Sequence, residues 1–108
     1  MTKSLTVRLD PRAAQAACDG HFPGDPLVPG STLVGFAAET AAQFLADQPG
    51  GPWRLVGVGR ATFSAPAHPT LAIDLIATRN EAPGGVIVRI HGDGRPLATA
   101  HFHFEPAS

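Results

Sequence analysis

The feature that most constrains this chain is the run Gly-His-Phe-Pro-Gly-Asp-Pro-Leu-Val-Pro-Gly at residues 20–30. Its three prolines fix φ and donate no backbone hydrogen bond, and its three glycines permit conformations that other residues avoid. Such a segment can neither continue a strand nor begin a helix before Pro29. We therefore predict a rigid, extended approach to the element that follows.

That following element, residues 31–46, is predicted to be a helix. It contains no proline, and Ala, Leu, Phe and Gln fill most of its positions. A helix that is apolar nearly all round is buried rather than laid on a surface, and at about sixteen residues this one is too short to cross a bilayer. In so small a chain, a buried helix requires a sheet wrapped around it.

The rest of the chain alternates apolar and polar residues as strands do. Leu5, Val7 and Leu9 predict one short strand before the motif. Residues 12–19 are Ala-rich and leave open a helical turn or an extended lead-in.

After a turn at residues 48–52, four strands are predicted, at 53–63, 70–79, 86–91 and 97–104. Gly57 and Gly59 predict a kink or bulge in the first of them. Gly92, Asp93 and Gly94 have hairpin chemistry, and consecutive strands joined by hairpins pair antiparallel.

Composition limits the classes of function. The chain has 108 residues, enough for one domain over residues 1–108, and its net charge of −1 argues against nucleic acid as a partner. Cys18 is the single cysteine, which fits a reducing compartment. The chain opens without an apolar leader, so we expect a soluble, cytoplasmic protein with no membrane partner.

The pattern His-Phe-Pro-Gly-x-Pro-x-x-Pro-Gly, matched in full from His21 to Gly30, resembles the motif of the hotdog-fold 3-hydroxyacyl-acyl-carrier-protein dehydratases. Residues 55–66 are similar to that family's first long strand after the helix, and the similarity covers roughly residues 5–104. The resemblance implies an α+β hotdog fold, an antiparallel sheet wrapped around one central buried helix. It also implies a homodimer or an assembly of dimers whose sheets join edge to edge, with the active sites at the interface.

The same resemblance implies an activity, the elimination of water from a 3-hydroxyacyl thioester to give a 2-enoyl thioester. The acyl chain would be carried by the phosphopantetheine of an acyl carrier protein or by coenzyme A. No metal or other cofactor is expected.

His21 is the first candidate catalytic residue, because an imidazole can accept or donate a proton near neutral pH. By resemblance it is the base that removes the proton alpha to the carbonyl, with Phe22 beside it in the substrate site. The alternative is a histidine that only caps the loop by hydrogen bonding. The backbone N–H of Gly30, at the helix N-terminus, would polarise the thioester carbonyl. Ser31 is placed in the same site, although its hydroxyl is better suited to capping the helix.

The chain departs from the family at Gly35, where the family's helix carries an acid. Glu39 stands four residues further on and on the same helix face. A lone carboxylate on a buried helix is costly unless it is paired or protonated, and a protonated one suits a general acid. We therefore expect Glu39 to replace the acid, with Gly35 leaving room for substrate; the alternative is a hydrogen bond across a dimer interface.

Other polar residues are given structural roles. Cys18 is expected to be a small buried hydrophobe rather than a nucleophile. His101 and His103 share a strand face with a spacing that could bind metal, but the sequence places no third ligand near them. Arg60 could meet the phosphate of the phosphopantetheine, although a solvent-exposed carboxylate is the preferred partner.

Three functions are carried forward in order of preference. The first is the dehydratase, and the second is a non-catalytic acyl-carrier-binding module or a heterodimer subunit whose partner supplies the missing acid. The third is a thioesterase, for which the sequence has no separate motif.

Overall fold

The computed structural model describes residues 3–18 and 27–107, so that His21 and Phe22 lie outside the described residues. The elements along the chain are β1 (Ser4–Arg8), α1 (Pro11–Cys18), α2 (Gly30–Ala46), β2 (Trp53–Phe63), β3 (Ile73–Arg79), β4 (Gly85–Gly92) and β5 (Arg95–Pro106). The ambiguous Ala-rich segment is thus the short helix α1. None of the helices in the described part of the chain is long and apolar enough to span a membrane.

The five strands form one antiparallel sheet in the order β1-β3-β4-β5-β2. The predicted hairpin joins β4 to β5 through Asp93 and Gly94, whose φ values are 50° and 82°. Positive φ at both central residues is the geometry of a type I′ turn, whose twist matches that of the flanking strands. At the other end of the order, β2 is an edge strand.

Helix α2 lies across one face of this sheet, mainly against β3 and β4. It contributes the largest apolar groups of its inner face to the core, among them Leu33, Phe44 and Leu45, each 2% exposed or less. The sheet meets it with alternate residues of the central strands: Ile73, Leu75, Val86, Val88, Ile90, Ala98, Ala100, Phe102 and Phe104. The expected hotdog arrangement is confirmed.

The expectation that α2 is buried all round is wrong for the single chain. Its outward face is exposed along its whole length, through Ser31, Gly35, Glu39, Ala42, Gln43 and Ala46. The physical reason is that one sheet can cover only one side of a helix. The other side of α2, although poor in polar groups, faces away from the sheet.

Strand β2 has its predicted bounds and is bulged where the glycines predict it. Its register with β5 shifts between Leu55 and Gly57 and again between Val58 and Arg60. Because α2 sits over the central strands, apolar side chains that β2 presents on the helix side of the sheet remain exposed, at 42% for Leu55, 47% for Val58 and 53% for Phe63. The exposed outer face of α2 and this apolar margin of β2 therefore lie side by side.

The other strands begin or end within three residues of their predicted positions. The largest difference is at β3, which begins at Ile73 rather than residue 70 because residues 68–72 form a turn closed by the Leu71 N–H on the His68 carbonyl. At the far edge, the β1–β3 pairing is supported by an ion pair between Arg8 and Asp74. The hydrogen bond and charge of Arg8 lower the pKa of the Asp74 carboxyl.

We predict that Gly35→Ala raises the free energy of unfolding by about 1 kcal/mol, because alanine is the better helix former at an interior position. A Cβ built at Gly35 has no atom within 4 Å, so no clash opposes the gain. Chemical denaturation followed by circular dichroism measures the change.

Gly94→Ala is the matched control, because it too has open space around an added Cβ but its φ is +82°. That substitution should destabilise the protein, since alanine is strained at positive φ. A loss of stability for Gly35→Ala would contradict the open surface at this point of α2 and indicate a close contact there in the assembled protein.

Candidate functional site

The N-terminus of α2 is positioned by the short segment that precedes it. The N–H of Val28 donates to the carbonyl of Ala67 at 2.8 Å, which ties this segment to the loop after β2. Pro29 then turns the chain into the helix with φ −58° and ψ 144°, and the first helical hydrogen bond runs from the N–H of Leu33 to the Pro29 carbonyl at 3.0 Å.

The first turn of α2 consequently offers unused hydrogen-bond donors. The N–H groups of Gly30, Ser31 and Thr32 make no hydrogen bond to any described residue. Such groups, together with the positive end of the helix dipole, favour a negatively charged or strongly polarised oxygen. The first turn contains no acidic side chain to neutralise them.

The expected capping role of Ser31 is wrong. Pro29 holds the cap position, no side chain makes a cap hydrogen bond, and Ser31 is the second residue of the helix, with an exposed side chain. The helix begins one residue earlier than predicted, because Gly30 takes helical geometry immediately after Pro29. Proximity to the helix N-terminus remains the argument for Ser31 in substrate binding.

The aromatic ring of Phe63, the last residue of β2, packs directly against Gly30. A Cβ built on Gly30 would lie 3.0 Å from Cζ and 3.1 Å from Cε1 of the ring. Glycine is therefore the residue that fits beneath this ring without moving it. Sequence reasoning missed the contact, because it joins positions far apart in the chain and no local pattern signals it.

Gly35 and Glu39 lie one turn apart on the exposed face of α2. The expectation that Glu39 is a carboxylate buried within one chain is therefore wrong. Its side chain forms no hydrogen bond or ion pair with any described residue. Nine residues of helix separate Glu39 from Gly30, about 14 Å along the axis. Within one chain the candidate acid and the candidate carbonyl-binding N–H are thus too far apart to act on the same thioester.

A groove runs beside α2 between these groups. The N-terminal end of α2 meets the C-terminal end of β2 at Gly30 and Phe63, so the two elements run antiparallel. Their opposite ends enclose a cavity of about 520 Å³. Its lining includes Ala42, Ala46, Trp53 and Phe104. The groove is therefore apolar along most of its length.

The remaining candidates lie away from this groove. Arg60 pairs with His101 across the β2–β5 ladder. Because His101 alternates with the buried Ala100 and Phe102, both residues belong to the outer face of the sheet, opposite α2. No cluster of three His, Cys, Asp or Glu side chains within residues 3–18 and 27–107 could hold a metal ion. Cys18 is buried as expected, with its thiol 3.4 Å from the carbonyl oxygen of Ala14.

We predict energetic coupling between Gly30 and Phe63. Gly30→Ala should destabilise the protein, because the new methyl group must displace the ring. It should be neutral or stabilising when Phe63 is already alanine, because the space is then free. Thermal unfolding of the two single variants and the double variant measures the coupling.

Gly35→Ala combined with Phe63→Ala is the control pair, and its effects should add. Additive effects for Gly30→Ala and Phe63→Ala would contradict the packing of the ring on the helix N-terminus.

Comparisons with known proteins agree with this architecture. The sequence profile of the ApeI-like family, described as ApeI dehydratase, matches residues 1–101. The chain is 38% identical over 99 residues to the 3-hydroxyacyl-[acyl-carrier-protein] dehydratase FabZ of Thermus thermophilus, covering 82% of this chain and 69% of the relative.

Two solved structures share the fold. One is the dehydratase heterocomplex ApeI:P from Xenorhabdus doucetiae, with a TM-score of 0.72 and 22% identity, covering 94% of this chain and 84% of the other. The second is a mutant acyl-CoA hydrolase from Staphylococcus aureus, with a TM-score of 0.76 and 18% identity, covering 98% and 67%. From its profile match and its identity with FabZ, we conclude that the chain belongs to the ApeI-like family of hotdog-fold dehydratases.

Proposed function

We propose that this protein, acting as a single hotdog domain in the cytoplasm, is a dehydratase that eliminates water from a 3-hydroxyacyl thioester to give a 2-enoyl thioester. The observation that carries the proposal is the set of unused N–H groups at Gly30, Ser31 and Thr32, directly after the complete His-Phe-Pro-Gly motif in a chain of the ApeI-like family. The proposed substrate is an acyl chain on an acyl carrier protein or on coenzyme A.

The reaction requires three functions. A base, proposed to be His21, removes a proton from C2, and the electron pair moves toward the carbonyl to give an enolate. The N–H of Gly30 stabilises the negative charge that develops on the enolate oxygen. An acid then protonates the hydroxyl at C3 as the C3–O bond breaks, so that water leaves and the double bond forms between C2 and C3.

We propose that Glu39 is this acid and acts on a thioester bound at the His21 and Gly30 of a second subunit. The support is geometric: Glu39 is exposed on the open face of α2 and is about 14 Å along the axis from the Gly30 of its own chain. Gly35 leaves the surface beside it empty, so that substrate or a water molecule can approach.

The single chain presents a surface suited to such pairing. Strand β2 is an edge of the sheet, and unpaired edges readily add another strand. Beside that edge lie the exposed apolar side chains of Leu55, Val58 and Phe63. A homodimer, or an assembly of dimers, would extend the sheet and cover this margin.

A second candidate function is a non-catalytic carrier-binding subunit or one half of a heterodimer. Gly35 favours it, because the position at which relatives carry their acid has no side chain. The structural relative from Xenorhabdus doucetiae is itself described as a heterocomplex. A thioesterase is the third candidate, and the acyl-CoA hydrolase shares only the fold.

We predict that His21→Ala abolishes hydration of a short enoyl thioester, followed by the loss of its ultraviolet absorbance. Glu39→Gln should lower the rate by about 10² or more, the scale of a lost general acid. Adding Gly35→Glu to Glu39→Gln should recover part of the rate. Glu81→Gln, which removes an exposed carboxylate from the β3–β4 turn, is the matched control and should leave the rate unchanged.

Full activity of Glu39→Gln would exclude Glu39 as the acid, and full activity of His21→Ala would exclude His21 as the base. A wild-type protein that binds acylated carrier protein but hydrates no enoyl thioester would favour the second candidate function.

We predict a dimer of the 11.2 kDa chain at micromolar concentration by light scattering. Val58→Asp should weaken it, because a carboxylate on the apolar margin of β2 would be buried without a partner. Thr62→Asp, on the outer face of the same strand, is the control and should remain dimeric. A monomeric wild-type protein would contradict the assembly.

A further inference from the structure

Phe63 has a position that neither the motif nor the proposed reaction accounts for. Its side chain is 53% exposed in the chain, although it lies on the same face of the sheet as the core. The exposed part of the ring lies next to the unused N–H groups of α2. An apolar group so placed is available to contact whatever those N–H groups bind.

The geometry of a helix defines that contact. In an α-helix, the N–H and the Cα–Cβ bond of a residue both point toward the N-terminus. A carbonyl oxygen bound at about 2.9 Å from the Gly30 nitrogen therefore occupies the region toward which a Cβ on Gly30 would also point. The ring atoms Cζ and Cε1 lie 3.0 and 3.1 Å from that Cβ position. The ring thus borders the space in which the carbonyl would sit.

We propose that Phe63 is a specificity-determining residue of this site, forming the side wall against the first carbons of the acyl chain. The inference rests on the proposed function. It assigns the substrate class as acyl thioesters that are unbranched at C2, because a methyl group on C2 is three bonds from the carbonyl oxygen and folds back toward the ring. Carbon atoms need about 3.5–4.0 Å of separation, and the ring leaves less than that beside Gly30.

Truncating the ring should open the wall without removing a donor or a titratable group. Phe63→Ala leaves the Gly30 N–H, His21 and Glu39 in place. Because Phe63 is half exposed, its loss does not empty a closed core cavity. A single methyl group typically changes discrimination by about 10- to 200-fold in an apolar pocket, so the ratio between branched and unbranched substrates is the sensitive readout.

The test compares hydration of but-2-enoyl and 2-methylbut-2-enoyl pantetheine thioesters by wild type, Phe63→Ala, Phe63→Leu and Leu55→Ala. Leu55 is the control, because it is an exposed apolar residue on the same face of β2 but at its far end. The wild type should prefer the unbranched substrate, and Phe63→Ala should reduce that preference by about tenfold or more. Phe63→Leu should be intermediate and Leu55→Ala unchanged.

A second measurement separates this proposal from the reaction itself. Calorimetry with butanoyl and 2-methylbutanoyl pantetheine, which have no double bond to hydrate, reports the same discrimination as binding. If the wild type hydrates neither enoyl substrate yet shows a binding preference that Phe63→Ala removes, the role of Phe63 stands and the dehydratase proposal fails. Hydration with a preference that Phe63→Ala does not change, or the absence of any preference, overturns the role of Phe63. A protein that neither binds nor hydrates these thioesters overturns both.

Discussion

The structure depends on the packing of α2 against the central strands of the sheet. Leu33, Phe44 and Leu45 enter the core from one side of the helix, and the inward residues of β3, β4 and β5 meet them. Burial of this apolar surface is the main favourable term in the folding of so small a chain. It also fixes where α2 begins, at Gly30, and so places the unused N–H groups at one end of the sheet.

The same packing leaves both the outer face of α2 and the inner margin of β2 uncovered. One helix cannot cover five strands, and the edge strand is the one that remains. The two bulges in β2 twist this edge and change which side chains it presents. The apolar groove, the candidate acid on α2 and the free strand edge therefore occupy one continuous side of the chain, which is the side that a second subunit would cover.

Division of the site between subunits has a simple geometric basis. A straight helix separates Gly30 from Glu39, and no rotamer of a glutamate side chain spans about 14 Å. A chain that places its oxygen-binding N–H groups at the helix N-terminus and its carboxylate in the helix middle can use both on one thioester only through a neighbour. Phe63 belongs to the first of these two parts, because it packs on Gly30 of its own chain.

The sequence by itself determined the elements, because their signals are local. Pro29 and the apolar run after it predicted the helix, the glycines at 57 and 59 predicted the irregular strand, and Asp93-Gly94 predicted the hairpin. The tertiary structure alone decided exposure and long-range contact. Glu39 proved exposed because the sheet covers one side of α2, Ser31 lost its capping role to Pro29, and Phe63 met Gly30 across the fold. Periodicity shows which residues share a face, but only the packed chain shows what covers that face.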